Sequence, residues 1–392
     1  MKFLKTLEAV KSDATIIWQE QEQTCSALWH SEHGSAPPKR VMVVDDTLTA
    51  DMAFRLASEG TGLLWRGDFQ NAKQLLQAIA RRIDKPSKKS AKKIQPTNMK
   101  DVFNQHRQAQ SQRARTLGML LLNFNADHSL SLRRAPDVAQ ACNEAYGAVS
   151  APYVISLREL LGVVGAHEWR KKGVKIEALG GRSIHPYYGV FAPLRAEYLQ
   201  LVAQAALPPS WQADSIALDI GTGSGVLAAI LMQRGISRVI ATDQSDRALA
   251  CAKENMQRLG YADQVDIMQA DLYPQGRADL IVCNPPWVPA RPSSALEHAV
   301  FDPDSAMLRG FLQGLSAHLK LSGEGWLILS DLAEHLGLRS REQLTAMFTE
   351  SGLRVIEKID ARPMHAKIAD QEDALHAARA AEVVSLWRLA PS

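Results

Sequence analysis

The chain has 392 residues and a net charge of +3, with 46% hydrophobic and 22% charged residues, a composition typical of globular proteins with two or three domains. Its four cysteines are scattered without metal-ligand spacing, and no apolar run reaches the ~18 residues of a membrane span, so a disulfide framework, a zinc site and a membrane protein are disfavoured. Because the N-terminus has an acid inside its apolar stretch and lacks a cleavage-site pattern, we expect a cytoplasmic protein.

The first part of the chain alternates short apolar runs with helical patterns. The predicted elements are a strand at 41–44 that ends at Asp45 and Asp46, a helix at 49–58, a strand at 63–65, helices at 71–82 and about 101–116, a strand at 119–124, a hairpin partner at 129–133 and helical patterns to about 170. We therefore predict a smaller α/β domain over residues 1–173.

Residues 85–115 form a basic block of six lysines and three arginines against a single acid, Asp101, which amounts to a net charge of +8. Within it, residues 85–100 contain Pro86 and Pro96 and predict a linker. A block of this kind can contact the phosphates of a nucleic acid, or it can be a solvated linker that its own charge keeps extended. Both interpretations stay open, because charge alone does not specify a partner.

From residue 174 onwards strands and helices alternate regularly. A strand is predicted at 174–178, followed by an aromatic loop at 185–191 and a helix at about 195–206. The remaining predicted strands lie at 215–220, 238–242, 264–268, 279–283, 325–330, 353–358 and 383–389. Such alternation predicts a doubly wound, mostly parallel, seven-stranded Rossmann-like sheet in a domain over residues 174–392.

A glycine-rich loop follows the first of these seven strands. The run Asp219–Gly225 leads directly into an apolar helix, and ligands of open α/β sheets bind at this edge. A dinucleotide fingerprint needs glycine at its sixth position, where this chain has Val226. The pattern GxGxG with a preceding acid instead resembles motif I of class I S-adenosylmethionine-dependent methyltransferases. That cofactor carries an ammonium group, which Asp219 can oppose.

Two further acids follow successive strands. Asp243 ends the second strand, where a carboxylate can accept hydrogen bonds from both ribose hydroxyls. Asp271 follows the third strand, at the position where the methyltransferase superfamily contacts the adenine amine. An acid that merely caps a loop would look the same there.

The fourth strand ends in the run Asn284–Trp287, NPPW. The lone pair of an amide or exocyclic-amine nitrogen is delocalised, and acceptors for its two N–H groups favour the reactive tetrahedral form. The Asn284 side-chain oxygen and the Pro285 carbonyl are suitable acceptors. The prolines direct that carbonyl, and Trp287 offers a flat face on which a planar group can stack. The run therefore predicts a clamp for an sp² nitrogen; the alternative is a proline-rich strand exit with Trp287 packed in the core.

Residues 174–340 resemble the methyltransferases with an (Asn/Asp)-Pro-Pro-aromatic motif, in which tyrosine or phenylalanine is commoner than tryptophan. These act on exocyclic amines of ribosomal-RNA guanine, on adenine amines, or on release-factor glutamine. The resemblance assigns Asp219, Gly221, Thr222, Gly223, Gly225, Asp243, Asp271 and Leu272 to the cofactor, and Asn284, Pro285, Pro286 and Trp287 to catalysis.

Residues before the glycine loop resemble the ribosomal-RNA group more specifically. Lys175–Glu177 and Gly189–Pro193 are similar to the strand and Gly-Val-Phe loop that precede the catalytic domain of that group. The same group has an N-terminal degenerate copy of the methyltransferase fold, which residues 43–50 could begin. Such a copy would bind no cofactor and could hold RNA.

The sequence therefore predicts an S-adenosylmethionine-dependent N-methyltransferase that modifies an exocyclic base amine of RNA, with protein glutamine as the alternative substrate. Small-molecule amines remain open. An NAD-dependent oxidoreductase is disfavoured by Val226, and a non-catalytic binding module would have no use for Asn284. We predict no metal site, since His298, His335 and His365 are not spaced as ligands.

Overall fold

The computed structural model describes residues 14–32, 34–85, 98–292, 296–363 and 370–392. The chain divides into two compact units: the first comprises Met1–Gln95 and Gln105–Glu168, and the second comprises Pro96–Asn104 and Trp169–Ser392. No helix in the described ranges is long and apolar enough to cross a membrane.

The first unit contains a six-stranded sheet in the order β1-β2-β6-β5-β4-β3. Its strands are β1 (Thr15–Glu20), β2 (Gln23–Trp29), β3 (Arg40–Val44), β4 (Thr61–Trp65), β5 (Leu120–Phe124) and β6 (Tyr153–Ser156). Its helices are α1 (Ala50–Ser58), α2 (Phe69–Asp84), α4 (Ala139–Tyr146) and the greater parts of α3 (Met99–Leu117) and α5 (Leu157–Lys172). Ile16, Leu64, Leu121 and Val154 are buried together in one apolar cluster on this sheet.

Most predicted elements of the first unit are present, with three differences. The hairpin of β1 and β2 was not predicted, because its turn uses Gln21 and Glu22 at positive φ instead of a glycine or asparagine. The predicted hairpin partner at 129–133 makes only an isolated bridge, between Leu130 and Phe124. Strand β6 interrupts a stretch predicted as helical, since its four residues are too short a run to show a period of two.

The strand order of the first unit differs from that of the second. Strands β3, β4 and β5 follow one another across the sheet in chain order and are parallel, whereas β5 and β6 are antiparallel. In the second unit the first long strand lies inside the sheet and later strands are added on both sides. The degenerate-copy interpretation stays a prediction, and this difference counts against it.

The second unit contains a seven-stranded sheet in the order β11-β10-β9-β12-β13-β15-β14. Its strands are β9 (Ile216–Ile220), β10 (Arg238–Asp243), β11 (Val265–Gln269), β12 (Ala278–Cys283), β13 (Leu319–Ser330), β14 (Leu353–Ala361) and β15 (Val384–Pro391). Only β15 runs antiparallel to its neighbours, β13 and β14. A small separate hairpin joins β7 (Val174–Lys175) to β8 (Ser183–Ile184).

Helices cover both faces of this sheet. They are α6 (Glu197–Gln204), α7 (Val226–Gln233), α8 (Asp246–Leu259), α9 (Ala306–His318), α10 (Leu332–His335), α11 (Arg341–Glu350) and α12 (His376–Ala381). Val202 and Ile230 pack in the apolar cluster on one face, and Phe311 and Phe348 pack in the cluster on the other. The predicted doubly wound, mostly parallel sheet is confirmed.

The predicted elements of the second unit differ from the observed ones at two strands. The strand predicted at 174–178 stops at Lys175, and residues 177–179 form a 3-10 turn that ends at Gly180. Strand β13 begins at Leu319, six residues before the predicted start at 325, because its polar first part includes exposed residues that hide the pattern of burial.

Candidate active site

Three of the predicted site segments begin at one edge of the seven-stranded sheet. Ile220 pairs in register with Thr242 of β10 on one side and with Cys283 of β12 on the other. The residues that follow these strands therefore start side by side, and neighbouring strands lie about 5 Å apart. The fold brings together the glycine loop, Asp243 and Asn284.

The glycine loop uses three left-handed backbone positions: φ is 71° at Gly221, 56° at Gly223 and 81° at Gly225. A side chain at Gly225 would approach Met256 and Ala252 of α8 within 3.1–3.3 Å. A Cβ at Gly223 would meet no atom within 4 Å, so the loop faces open space there. The middle glycine thus leaves a cradle that a ligand can enter.

Asp219 is fully buried beneath this loop. Its Oδ2 accepts hydrogen bonds from the Thr222 hydroxyl at 2.6 Å and from the Ala228 amide at 3.1 Å, which fixes the loop against α7. Burial raises the pKa of Asp219 to about 6. Its other oxygen, Oδ1, has no hydrogen-bond partner within the described part of the chain. A cationic group of a ligand would satisfy both the charge and the oxygen.

Asp243 and Asp271 have polar contacts of their own. The Asp243 carboxylate accepts hydrogen bonds from the Gly223 amide at 3.0 Å and from the Ser245 amide at 2.9 Å. A carboxylate has about four acceptor positions, so two remain for hydroxyl groups. Asp271 is exposed and accepts a hydrogen bond from the Gln244 side chain at 2.7 Å.

Leu272 adopts an unusual backbone conformation next to these acids, with φ at 68°. Its carbonyl accepts a hydrogen bond from the Thr242 hydroxyl at 2.7 Å. This bond holds the chain after β11 against the end of β10. The open cradle at Gly223, the unpartnered Asp219 oxygen and the acids after β10 and β11 together fit a cationic nucleoside.

The NPPW run follows β12 and is packed more tightly than expected for a stacking platform. The indole N–H of Trp287 donates a hydrogen bond to Asn284 Oδ1 at 2.8 Å. The Trp287 ring also packs against three buried apolar clusters. Tyr198 meets it edge-on, with ring centroids 6.3 Å apart, and the Arg195 guanidinium lies 4.7 Å from the ring centroid on one face. The predicted stacking role stays a prediction.

A polar network next to Trp287 was not predicted; it consists of Arg195, Glu197, Ser330 and Glu382. Arg195 donates hydrogen bonds to Glu197 at 2.5 Å and to Glu382 at 3.0 Å, and the Ser330 hydroxyl donates to the same Glu382 oxygen at 2.5 Å. Both glutamates are buried. The Arg195 Nη2 atom is buried without a hydrogen-bond partner in the described residues. The arginine and the acid at the start of α6 could have indicated the pair of Arg195 with Glu197. The pairing with Glu382 could not be predicted, because that residue lies 187 residues further along the chain than Arg195.

Asp302 is a further buried acid that sequence reasoning missed. Its carboxylate accepts the amides of Met307 and Leu308 at 3.0 and 3.1 Å, which caps the first turn of α9. Its own amide donates to the carbonyl of Val288, the residue after the NPPW run, at 2.9 Å. Burial raises the pKa of Asp302. We interpret this acid as a structural brace for the loop after β12.

His298, His335 and His365 were predicted not to bind a metal. His335 lies 3.4 Å from Asp331 of its own turn, whereas His365 falls outside the described residues. Across the described ranges no group of three or more His, Cys, Asp or Glu side chains is placed to hold a metal ion.

Residues 189–349 match the family described as the methyltransferase small domain. Over this segment the chain is similar to that family. The match covers the glycine loop, the acids after β10 and β11, and the NPPW run. The predicted resemblance is confirmed, and with it S-adenosylmethionine as the cofactor that this domain uses.

Several curated relatives match part of the chain. A release factor glutamine methyltransferase of Cereibacter sphaeroides is 36% identical over 27% of this chain and 43% of its own length. A release factor glutamine methyltransferase of Geobacter sulfurreducens is 33% identical over 39% and 56%. A tRNA1(Val) (adenine(37)-N6)-methyltransferase of a Shewanella species is 26% identical over 43% and 72%. The chain thus spans about half the length of the first two relatives.

Proposed function

We propose that the protein is an S-adenosylmethionine-dependent N-methyltransferase whose acceptor is a planar sp² nitrogen, namely the exocyclic amine of an RNA base. The observation that carries the proposal is the position of Asn284. It follows β12 in register with the glycine loop, so a target amine held by its side chain would lie beside the cofactor cradle.

The bound cofactor supplies an activated methyl group. Asn284 and the Pro285 carbonyl accept the two N–H groups of the target nitrogen, which withdraws its lone pair from the adjacent π-system. The prolines hold that carbonyl in a fixed direction, because the ring of Pro286 restricts the backbone before it. The target nitrogen releases its proton readily once it carries the new bond, so the site needs no strong base.

Asp219 and Asp243 have separate roles in holding the cofactor. The unpartnered oxygen of Asp219 lies beneath the loop and offsets a cationic group. Asp243 retains acceptor positions for the ribose hydroxyls while its present hydrogen bonds keep Gly223 in place. The adenine amine is the proposed partner of Asp271, whose side chain is exposed after β11.

Two substrate classes are supported by different observations. The RNA hypothesis is supported by the basic block of residues 85–115 and by the similarity to a relative named as a tRNA adenine-N6 methyltransferase, over 72% of that relative's length. The glutamine hypothesis is supported by higher identity, 36% and 33%, to relatives named as release factor glutamine methyltransferases. A primary amide and a base amine present the same two N–H groups to Asn284, so the clamp alone suits both.

Mass spectrometry of cells with and without the gene tests the proposal. We expect one methylated nucleoside to disappear from the RNA of gene-deleted cells and to return when the wild-type gene is restored. If instead a methylglutamine disappears from tryptic peptides while all nucleosides are unchanged, the substrate is a protein. If both are unchanged, neither substrate class is correct.

A further inference from the structure

The hydrogen bond within the NPPW run fixes the direction of the catalytic amide. An asparagine side chain has an acceptor oxygen at one end and an NH2 donor at the other, and a half-turn of the amide exchanges them. The Trp287 indole N–H can only donate, and it donates to Asn284 Oδ1 at 2.8 Å. Turning the amide would place NH2 against this N–H, two donors with no acceptor between them.

The amide oxygen keeps a second acceptor position while it is bound to Trp287. A carbonyl oxygen has two lone pairs, so one can take the indole N–H and the other a target N–H. The indole therefore selects the amide orientation with an acceptor beside it. A phenylalanine in the same place would present an aromatic ring but no donor.

The indole itself is held from several sides. Arg195 lies 4.7 Å from its ring centroid, and this arginine is bound in turn to Glu197 and Glu382. Tyr198, which is buried, meets the ring edge-on. An arginine over an indole is a favourable cation–π contact, and the guanidinium occupies one face of the ring.

We propose that Trp287 is a positioning residue, not a stacking platform: its indole N–H sets the acceptor orientation of Asn284, and Arg195 holds the indole in place. The proposal rests on the proposed function for the role of Asn284 towards substrate. The contact itself can be tested without any substrate.

The first experiment observes the indole N–H directly. The chain has eight tryptophans, so the Trp287 signal in a ¹H–¹⁵N NMR spectrum is assigned by its loss in Trp287→Phe. We expect Asn284→Ala to move this signal towards the position of a free indole and to speed its exchange with solvent. Trp211→Phe, which changes another partly buried indole of the same unit, should leave the Trp287 signal in place. A Trp287 signal that does not respond to Asn284→Ala would overturn the proposal, whatever the enzyme's substrate.

The second experiment measures transfer of labelled methyl groups to total RNA or total protein from gene-deleted cells, whichever accepts them from the wild-type enzyme. Trp287→Phe keeps an aromatic ring and removes only the donor, and we expect kcat to fall roughly tenfold, the worth of one hydrogen bond. The affinity for S-adenosylhomocysteine and the melting temperature should stay close to wild type. If Trp287 were a stacking platform, phenylalanine would keep the aromatic ring and kcat would be unchanged. That result would also overturn the proposal.

A double-mutant cycle separates orientation from general packing. The substitution Asn284→Asp replaces the amide by a carboxylate, which has an oxygen at both ends, so a half-turn of the group changes nothing. We therefore expect Trp287→Phe to lower kcat much less in an Asn284→Asp background than in the wild type. An equal loss in both backgrounds would mean that Trp287 acts through packing alone. If the wild-type enzyme methylates neither RNA nor protein, the proposed function fails, and the NMR result still decides the contact.

Discussion

The Asp219 carboxyl group is buried, and one of its oxygens has no hydrogen-bond partner among the described residues. The ionised form of this group therefore destabilises the folded state. Its pKa is raised by burial from an ordinary 3.8 to about 6. The folded state is fully favoured by the protonated group below pH 3.8, and this stabilisation is lost as the pH rises through 6. The shift of roughly two pKa units corresponds to about 3 kcal/mol at neutral pH in the absence of a cofactor.

Asp219→Asn should therefore become more stable relative to the wild type as the pH rises. Between about pH 4 and about pH 7 we expect the difference in unfolding free energy to grow by up to about 3 kcal/mol in favour of the variant. Urea unfolding across this range measures it. Asp266→Asn, at an exposed carboxylate of β11, should follow the wild-type curve. A difference between Asp219→Asn and wild type that is independent of pH would show that Asp219 titrates normally.

Asp243 is expected to contribute directly to cofactor affinity. Removing its carboxylate in Asp243→Ala eliminates charge-assisted hydrogen bonds to hydroxyl groups, which should weaken binding of S-adenosylhomocysteine by about 1–3 kcal/mol. Isothermal calorimetry measures this change, with Asp266→Ala as the control on the neighbouring strand. Unchanged affinity in a folded Asp243→Ala variant would place the ribose contact elsewhere.

Asn284 should matter for turnover and not for cofactor binding. Its oxygen acts on the target nitrogen, and the interaction strengthens only as that nitrogen becomes tetrahedral. We expect Asn284→Ala to lower kcat by about 10²–10³ while the affinity for S-adenosylhomocysteine is nearly unchanged, an effect comparable to the loss of an oxyanion-hole donor. Methyl transfer to the acceptor identified by mass spectrometry gives the rate. A wild-type rate in the folded variant would contradict the clamp.

At the scale of elements, the glycine loop can be tested with a closely matched control. Gly223 and Gly235 both have positive φ, and a Cβ at either would meet nothing within 4 Å. Alanine at each position should therefore cost a similar strain, about 1 kcal/mol of stability. Only Gly223 faces the cradle, so Gly223→Ala should weaken S-adenosylhomocysteine binding at least tenfold while Gly235→Ala does not. Equal affinities of the two variants in calorimetry would mean that the ligand does not approach Gly223.

The elements of the second unit were predictable because its central strands are nearly continuous apolar runs that end in polar residues. Because parallel strands end at the same edge of a sheet, the glycine loop, Asp243 and Asn284 could be predicted to lie at one edge without any knowledge of side-chain contacts. Glu382 was beyond reach, since its pairing with Arg195 joins residues 187 positions apart. The bond from Trp287 to Asn284 was also invisible, because a motif specifies residue types but not which way an amide turns.

At the scale of the whole molecule, charge is distributed unevenly along the chain. The basic block has a net charge of +8, while the complete chain has +3, so the rest of the chain is acidic. Lys88, Lys89, Lys92 and Lys93 lie outside the described residues, and the proposal that they bind RNA depends on their charge alone. In the described C-terminal part of the block, Arg113 already uses its charge within the protein, in a pair with Asp84 at 2.9 Å.

Neutralising those four lysines to glutamine decides between a nucleic-acid contact and a passive linker. If they bind phosphates, the slope of log K against log[salt] for RNA binding should fall by roughly 0.7 to 0.9 for each phosphate that is no longer neutralised. The melting temperature should hardly change, because solvated lysines bury little surface. The control variant neutralises four exposed basic residues of the second unit, Lys172, Lys175, Lys253 and Arg354, and so makes the same change in net charge. Filter binding over a salt series should then show a smaller slope for the first variant alone. Equal slopes in both variants and the wild type would remove the charge argument for RNA and favour a glutamine substrate, since the clamp at Asn284 accepts either nitrogen.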